Sequence, residues 1–255
     1  MNEVLTIGEV LVEIVATTRG NGFLAAQPLV GPFPSGAPAI FIDQVGKLGT
    51  PCAIISRVGD DDFGRVNLER LRADGVDVSG IEIAAGESTG SAFVRYREDG
   101  SRAFVYNIRH AACGKLRPTA ASEALIESCT HLHVMGSAFS APELGGMVMD
   151  AARRIKARGG TISFDPNLRP ELLDAPGMRA ALDAVLAMTD LFMPSGEELF
   201  LFDAGRDEPA VIAALLDRGI RTVVVKRGAG GASLFQRGLR VDAKPLAVEE
   251  VDPTG

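Results

Sequence analysis

The chain has 255 residues, enough for a full core built as one large α/β domain or as a domain with an appendage. Its composition, 46% hydrophobic and 23% charged, is that of a soluble protein. A formal net charge of −7 argues against nucleic acid or an anionic membrane as the main partner. It does not exclude a small anionic ligand, which local glycine loops and metal ions can hold.

The opening Val4-Leu5-Thr6-Ile7-Gly8 reads as a strand, near Val4–Glu9. No basic region precedes it, so no signal peptide is expected. A helix is predicted near Pro38–Leu48, then a strand at Ala53–Val58 and a helix at Phe63–Ala73. Further on come a helix near Ser122–Ser128, a strand at His131–Met135, a helix at Glu143–Arg158 and a strand at Thr161–Phe164. A helix near Met178–Ala187 leads to a strand at Leu191–Met193. Another at Pro209–Asp217 leads to a strand at Thr222–Lys226, and a hairpin spans Ala232–Val241. Strands alternating with helices point to a mostly parallel sheet with helices on its faces.

Residues 81–107 break this rhythm. Ser91–Arg97 and Arg102–Tyr106 read as strands around a Glu98-Asp99-Gly100-Ser101 turn. With Leu11–Val15 and the irregular 17–34 stretch, they suggest a small separate sheet. Its expected role is a lid over the carboxyl ends of the parallel strands, where open α/β sheets bind ligands. No internal repeat or linker is apparent.

Cys52, Cys113 and Cys129 are too few and too scattered for a disulfide framework or a zinc site. They read as buried free thiols, and the expected location is the cytoplasm. No apolar run approaches the length of a membrane span. His131 and His133 share a strand face without ligands of zinc spacing, so a core or strand-end role is expected, as it is for His110. The Asp60-Asp61-Asp62 run fits a turn and helix start better than a metal site.

The segments that carry chemistry follow strands or glycine turns. Pro34-Ser35-Gly36-Ala37-Pro38-Ala39-Ile40 is a small-residue turn before a helix, followed by Lys47-Leu48-Gly49 and by Gly59-Asp60-Asp61-Asp62-Phe63-Gly64. Such turns bring backbone N–H groups close to a ligand. Phe164-Asp165-Pro166-Asn167-Leu168-Arg169-Pro170 follows a strand, which puts its polar side chains at the ligand edge of the sheet. Met193-Pro194-Ser195-Gly196-Glu197-Glu198 follows another; there Glu198 also fits as helix-start charge near an N-cap Ser195. Lys226-Arg227-Gly228-Ala229-Gly230-Gly231-Ala232 is glycine-rich but runs into a hairpin instead of a helix, which disfavours a dinucleotide fold. The chain closes on Val251-Asp252-Pro253-Thr254-Gly255, a good opening for an anion loop.

Together these segments resemble the ribokinase-like (PfkB) carbohydrate kinases. The ending is similar to the family's second signature, Asp-Thr/Pro-Thr-Gly-Ala-Gly-Asp. The three N-terminal pieces resemble its first, Gly-Gly-x-x-x-Asn through Leu-Gly to Val-Gly-x-Asp-x-Phe-Gly. Ser35 stands in place of the first glycine, and Ile40 in place of the sugar-binding Asn. An Ile cannot hydrogen-bond a sugar hydroxyl. The Asp165-x-Asn167-x-Arg169 spacing resembles the fructokinase and 2-keto-3-deoxygluconate kinase branch. The family's Asn-x-x-Glu appears as Ser195 and Glu198.

The resemblance implies one ribokinase-like α/β domain over residues 1–255, with its C-terminal part lying past Gly255 and lid insertions at about 11–34 and 81–107. It implies ATP-dependent phosphorylation of a primary hydroxyl with Mg²⁺, and a monovalent cation as a further candidate cofactor. Substrate contacts would come from Glu13, Ser35, Gly36, Tyr106, Asp165 and Asn167, and nucleotide contacts from Ser195, Lys226, Gly228 and Gly231. Glu198 and Asp252 would serve the metal. Arg169, Thr254 and Gly255 would serve the transferring phosphoryl group, and the general base would lie three positions past Gly255. Glu13 is expected to accept hydrogen bonds from two neighbouring hydroxyls. The favoured substrate is a neutral ketohexose such as fructose or tagatose, with 2-keto-3-deoxygluconate second and a nucleoside third. A non-catalytic, sugar-binding regulatory relative is the reading from another class, and Ile40 and Ser195 favour it. A homodimer in which the small sheets meet is the expected assembly, with a small sugar and ATP as ligands and neither nucleic acid nor membrane as partner.

Overall fold

The computed structural model describes residues 3–20, 22–168, 177–203 and 205–247. Two sheets organise them. The larger is built on β1 (Val4–Ile7), β4 (Cys52–Gly59), β5 (Val76–Asp77), β9 (His131–Met135), β10 (Thr161–Asp165), β11 (Leu191–Phe192) and β12 (Thr222–Lys226). These pair in parallel, and β13 (Ala232–Gln236) and β14 (Leu239–Ala243) extend the β12 edge as an antiparallel hairpin. The strand order is β14-β13-β12-β11-β10-β9-β1-β4-β5. The chain therefore builds outward from β1 first to one side and then to the other, which opens a crevice at the carboxyl ends of β1 and β9.

The smaller sheet has four strands in the order β3-β2-β7-β8: β3 (Leu29–Ser35), β2 (Leu11–Ala16), β7 (Gly90–Tyr96) and β8 (Arg102–Asn107). The β7–β8 turn forms as its residues dictate. Gly100 adopts φ 82, and Asp99 accepts from the Ser101 amide. One expectation is corrected here. Ile81–Ala84, taken as the start of the lid insertion, forms β6 and pairs in parallel with β4 of the large sheet. Arg57 on β4 reaches the Glu82 carboxylate at 3.1 Å, and Ile81 is buried in the core beside Val58. The insertion into the small sheet thus begins at Gly90.

Strand β4 is buried along its whole length, as expected of a strand covered on both faces. Ala53 and Ile55 pack into the core under α3 (Ala120–Ser128), α4 (Pro142–Ala157), α5 (Met178–Leu186) and α6 (Glu208–Asp217). Cys52, Ile54 and Val58 pack on the other face, under α1 (Ala37–Lys47) and α2 (Asp62–Ala73). All three cysteines are buried free thiols. No helix among the described residues is long and apolar enough to cross a membrane.

Local geometry fixes the starts of α1 and α2. Asp61 is the N-cap of α2: its carboxylate accepts from the Gly64 amide at 2.8 Å and from Thr89 at 2.6 and 2.8 Å. At α1 the need is for space. Gly36 has φ 107, and a Cβ there would lie 2.4 Å from the Glu9 carbonyl oxygen. Only glycine lets the start of α1 press against the β1–β2 connection.

Candidate active site

A cleft of about 920 Å³ opens at the carboxyl ends of the parallel strands, and the small sheet forms one of its walls. Alternation along β8 turns Arg102, Phe104 and Tyr106 toward it, with the Phe104 and Tyr106 rings stacked at 5.2 Å. Leu11 and Glu13 border it from β2, and Ser35 and Gly36 from the end of β3. From α1 come Ile40 and Gln44, and Leu48 borders the cleft just past its end. Ile40 therefore presents a half-exposed hydrocarbon side chain to the cleft, as its place in the sequence implies.

The large sheet supplies the charged floor. Asp165 ends β10 and is 7% exposed. Burial pushes its carboxyl up, and the Lys226 ammonium, which is ion-paired with it, pulls it back down. Asp165 Oδ1 also accepts from the Asn167 amide at 3.1 Å. Asn167 holds φ 39, the one positive φ of a non-glycine among the described residues. This short Asx turn folds the chain back at the strand end, so that Asp165 and Asn167 both border the cleft.

Lys226 was expected with the nucleotide loop. Its side chain lies in the cleft, ion-paired with Asp165. Ser195 is its backbone neighbour, since the segments bridge at Ser195 and Lys226 and the Lys226 amide donates to the Pro194 carbonyl at 2.9 Å. Gly228 and Gly231 form the turn beyond, outside the cleft. There the Gly231 amide donates to the Gly228 carbonyl, and a Cβ on Gly231 would lie 2.1 Å from the Ala243 carbonyl oxygen. Arg227 is held by a bidentate pair with Glu208 at 2.6 and 2.9 Å.

Glu198 ties two of these loops together. One oxygen accepts from the Leu168 amide and the other from the Ser195 amide, each at 2.7 Å. Burial raises its carboxyl, and the two amides oppose that shift. Each oxygen keeps a free lone pair, so Glu198 fits as a hard oxygen acceptor that would hold a water of a bound Mg²⁺. Arg169, Asp252, Thr254 and Gly255 lie outside the described residues.

Two features escaped the sequence reading. Glu9, two residues past β1, is 2% exposed and borders the cleft. Burial pushes its carboxyl up to about 7. The Ser137 hydroxyl is near enough to oppose this shift, yet its Oγ makes no hydrogen bond of normal geometry. The available signal was an acid set directly before the apolar run Val10-Leu11-Val12. His131 and His133 take the core, strand-end place expected of them, and what the sequence did not show is their shared partner. His131 Nε2 and His133 Nδ1 both meet Ser163 Oγ at 2.7 Å, and the His133 ring stacks on Phe41 at 3.5 Å. Burial holds His133 down at about 3, so it is neutral and serves to back Phe41, a residue of the cleft wall.

Comparison with known proteins gives the family. The sequence model described as pfkB family carbohydrate kinase matches residues 1–255. Fructokinase-1 of Oryza sativa subsp. japonica is 31% identical over 256 residues, covering 99% of this chain and 78% of the relative. The 2-dehydro-3-deoxygluconokinase of Thermoproteus tenax is 29% identical over 259 residues, covering 100% and 78%. Among solved structures, a protein from E. coli provisionally described as a Ribokinase II, in complex with ATP and Mg²⁺, superposes with a TM-score of 0.92 at 49% identity. That match covers 100% of this chain and 82% of the other.

Proposed function

Since the chain belongs to the pfkB family of carbohydrate kinases, we propose that it transfers the γ-phosphoryl group of ATP to a primary hydroxyl of a ketohexose, fructose or tagatose. One observation carries this reading. Glu13, Gly36, Tyr106, Asp165, Asn167 and Lys226, drawn from both sheets, converge on one cleft at the strand ends.

In this reading Glu13 and Asn167 hold sugar hydroxyls, and the aromatic pair of β8 covers an apolar face of the ring. The hydroxyl oxygen forms a bond to the γ-phosphorus as the bond to the β–γ bridging oxygen breaks, leaving ADP. The hydroxyl proton passes to the carboxylate that the family resemblance puts three positions past Gly255. Such a base is worth about 10²–10⁴ in rate. Arg169 offsets the charge on the equatorial oxygens, Thr254 and Gly255 donate hydrogen bonds to them, and Lys226 keeps a positive charge on the cleft floor. Mg²⁺, when bound, offsets the charge of the phosphates. Glu198 would orient it through water, with Asp252 in support, while Ser195, Gly228 and Gly231 line the nucleotide side. The small sheet closes over the sugar and keeps water from competing for the phosphoryl group.

A sugar acid is the second reading, and a specific observation favours it. Arg109 borders the cleft, is exposed, and has no hydrogen bond or ion pair among the described residues. Assaying ADP release with fructose, tagatose and 2-keto-3-deoxygluconate separates the two, since a strong preference for the acid reverses the order proposed.

We also propose a homodimer through the small sheet, in a cytoplasmic enzyme. Leu29, Val30 and Phe33 on β3 and Val105 on β8 are exposed at 41–56% and supply apolar side chains for it at both edges of the sheet. Light scattering that reports a monomer removes this part.

A further inference from the structure

Three buried polar atoms along the cleft make no hydrogen bond of normal geometry: Oε2 of Glu9 and the hydroxyl oxygens of Ser137 and Ser140, of which the Ser137 hydroxyl lies close enough to the Glu9 carboxyl to lower its pKa. Each buried group left unpaired costs about 1–3 kcal/mol. Three of them beside one cavity is an expensive arrangement for a wall that serves only the fold.

The three come from two connections at the topological switch. Glu9 lies on the segment between β1 and β2, and its backbone is fixed by the close approach of Gly36. Ser137 and Ser140 lie in the 3₁₀ turn Gly136–Ser140 that follows β9. Strands β1 and β9 are paired neighbours, so both connections leave the sheet at the same edge. The resulting chemistry is one carboxyl and two hydroxyls. A carboxyl accepts from hydroxyl groups, and a serine hydroxyl both donates and accepts. That set matches the hydroxyls of a polyol.

We propose that Glu9, Ser137 and Ser140 form a further sugar-binding wall, which takes hydroxyls that Ile40 cannot bind and so selects a fully hydroxylated ketohexose over a deoxy sugar. The assignment rests on the sugar-kinase reading and sharpens its substrate class. A site built to hydrogen-bond a substrate hydroxyl discriminates strongly against an analogue without it, because its own polar groups are then left bare.

Calorimetric titration with fructose and its monodeoxy analogues tests this on the wild-type enzyme, Glu9→Gln and Ser137→Ala, with thermal melting to verify that each variant folds. Binding needs no turnover, so the test is independent of the phosphoryl-transfer assay. The expected result is a loss of fructose affinity of about 10- to 100-fold in Glu9→Gln and about 10-fold in Ser137→Ala. At least one monodeoxy analogue should bind the wild type about 10-fold more weakly than fructose, and that penalty should shrink in the variants. Fructose affinity within about fivefold of wild type in both variants overturns the wall and leaves the kinase reading standing. A wild type that binds no ketohexose overturns both.

Discussion

Lys226, at the end of β12, is ion-paired with Asp165, at the end of β10, although β11 lies between these strands. The pair spans the segment that follows β11, where the Met193 amide donates to the Phe164 carbonyl and the Lys226 amide to the Pro194 carbonyl. It places a cation and a carboxylate together on the cleft floor, where phosphoryl transfer needs positive charge next to the attacking hydroxyl.

Replacing Lys226 with Met leaves Asp165 buried without its cation. The expected cost is about 2 kcal/mol of folding stability, below the range for a fully buried pair because Lys226 is partly exposed. The kcat/KM for sugar should fall by more than about tenfold. Urea denaturation and steady-state kinetics check the two effects separately.

Glu9 makes stability depend on pH. Its carboxyl titrates near 4.5 when unfolded and at about 7 when folded, so the folded state binds the extra proton between those values. Its contribution is most favourable below pH 4.5 and is lost as pH rises through 7, by about 3 kcal/mol at most. The groups facing it are the Ser137 hydroxyl, the Glu9 and Ala37 amides and the Cys113 thiol, itself pushed up to about 12. Denaturation of Glu9→Gln beside wild type should show the variant gaining relative stability from pH 4.5 to pH 7.5. A constant difference contradicts the assignment.

Ile40→Asn restores the amide that the family places at this position. The KM for a ketohexose should fall about five- to tenfold, the worth of one hydrogen bond in a cleft. An unchanged KM means the sugar does not reach the α1 wall.

Arg109→Met tests the rival substrate class. For a neutral ketohexose the KM should stay within about twofold, because no charge is being paired. A rise of tenfold or more for 2-keto-3-deoxygluconate, with that acid as the better substrate, supports the sugar-acid reading.

Asp61→Ala should behave differently from all of these. It removes an N-cap with three bonds, at a cost of about 2 kcal/mol, and leaves kcat and KM for sugar unchanged. A kinetic defect in a well-folded variant would place Asp61 in the chemistry.

Much of the architecture was legible because each long element carries one clear period. Apolar spacing gave α2 and α4 to within a residue or two, and the run of β-branched residues gave β12. Partner choice was less legible. Ile81–Ala84 has the alternation of any half-buried strand, and nothing local distinguishes pairing with β4 from pairing with the small sheet. The site divides in the same way. Asp165 and Asn167 were visible because their segment follows a strand into a proline turn. Glu9 was hidden because one acid after a strand reads alike whether solvated or buried. The Lys226–Asp165 pair was not visible, because a strand-end side chain takes its direction from the pleat and its partner lies 61 residues away.

The most direct test of the account is ADP release by the full-length enzyme, measured with saturating Mg²⁺-ATP against fructose, tagatose and 2-keto-3-deoxygluconate. The account predicts sugar-dependent turnover with a ketohexose preferred by at least about tenfold in kcat/KM, which is about 1.4 kcal/mol of transition-state discrimination. Preference for the sugar acid, or ADP release that does not depend on any sugar, would contradict it.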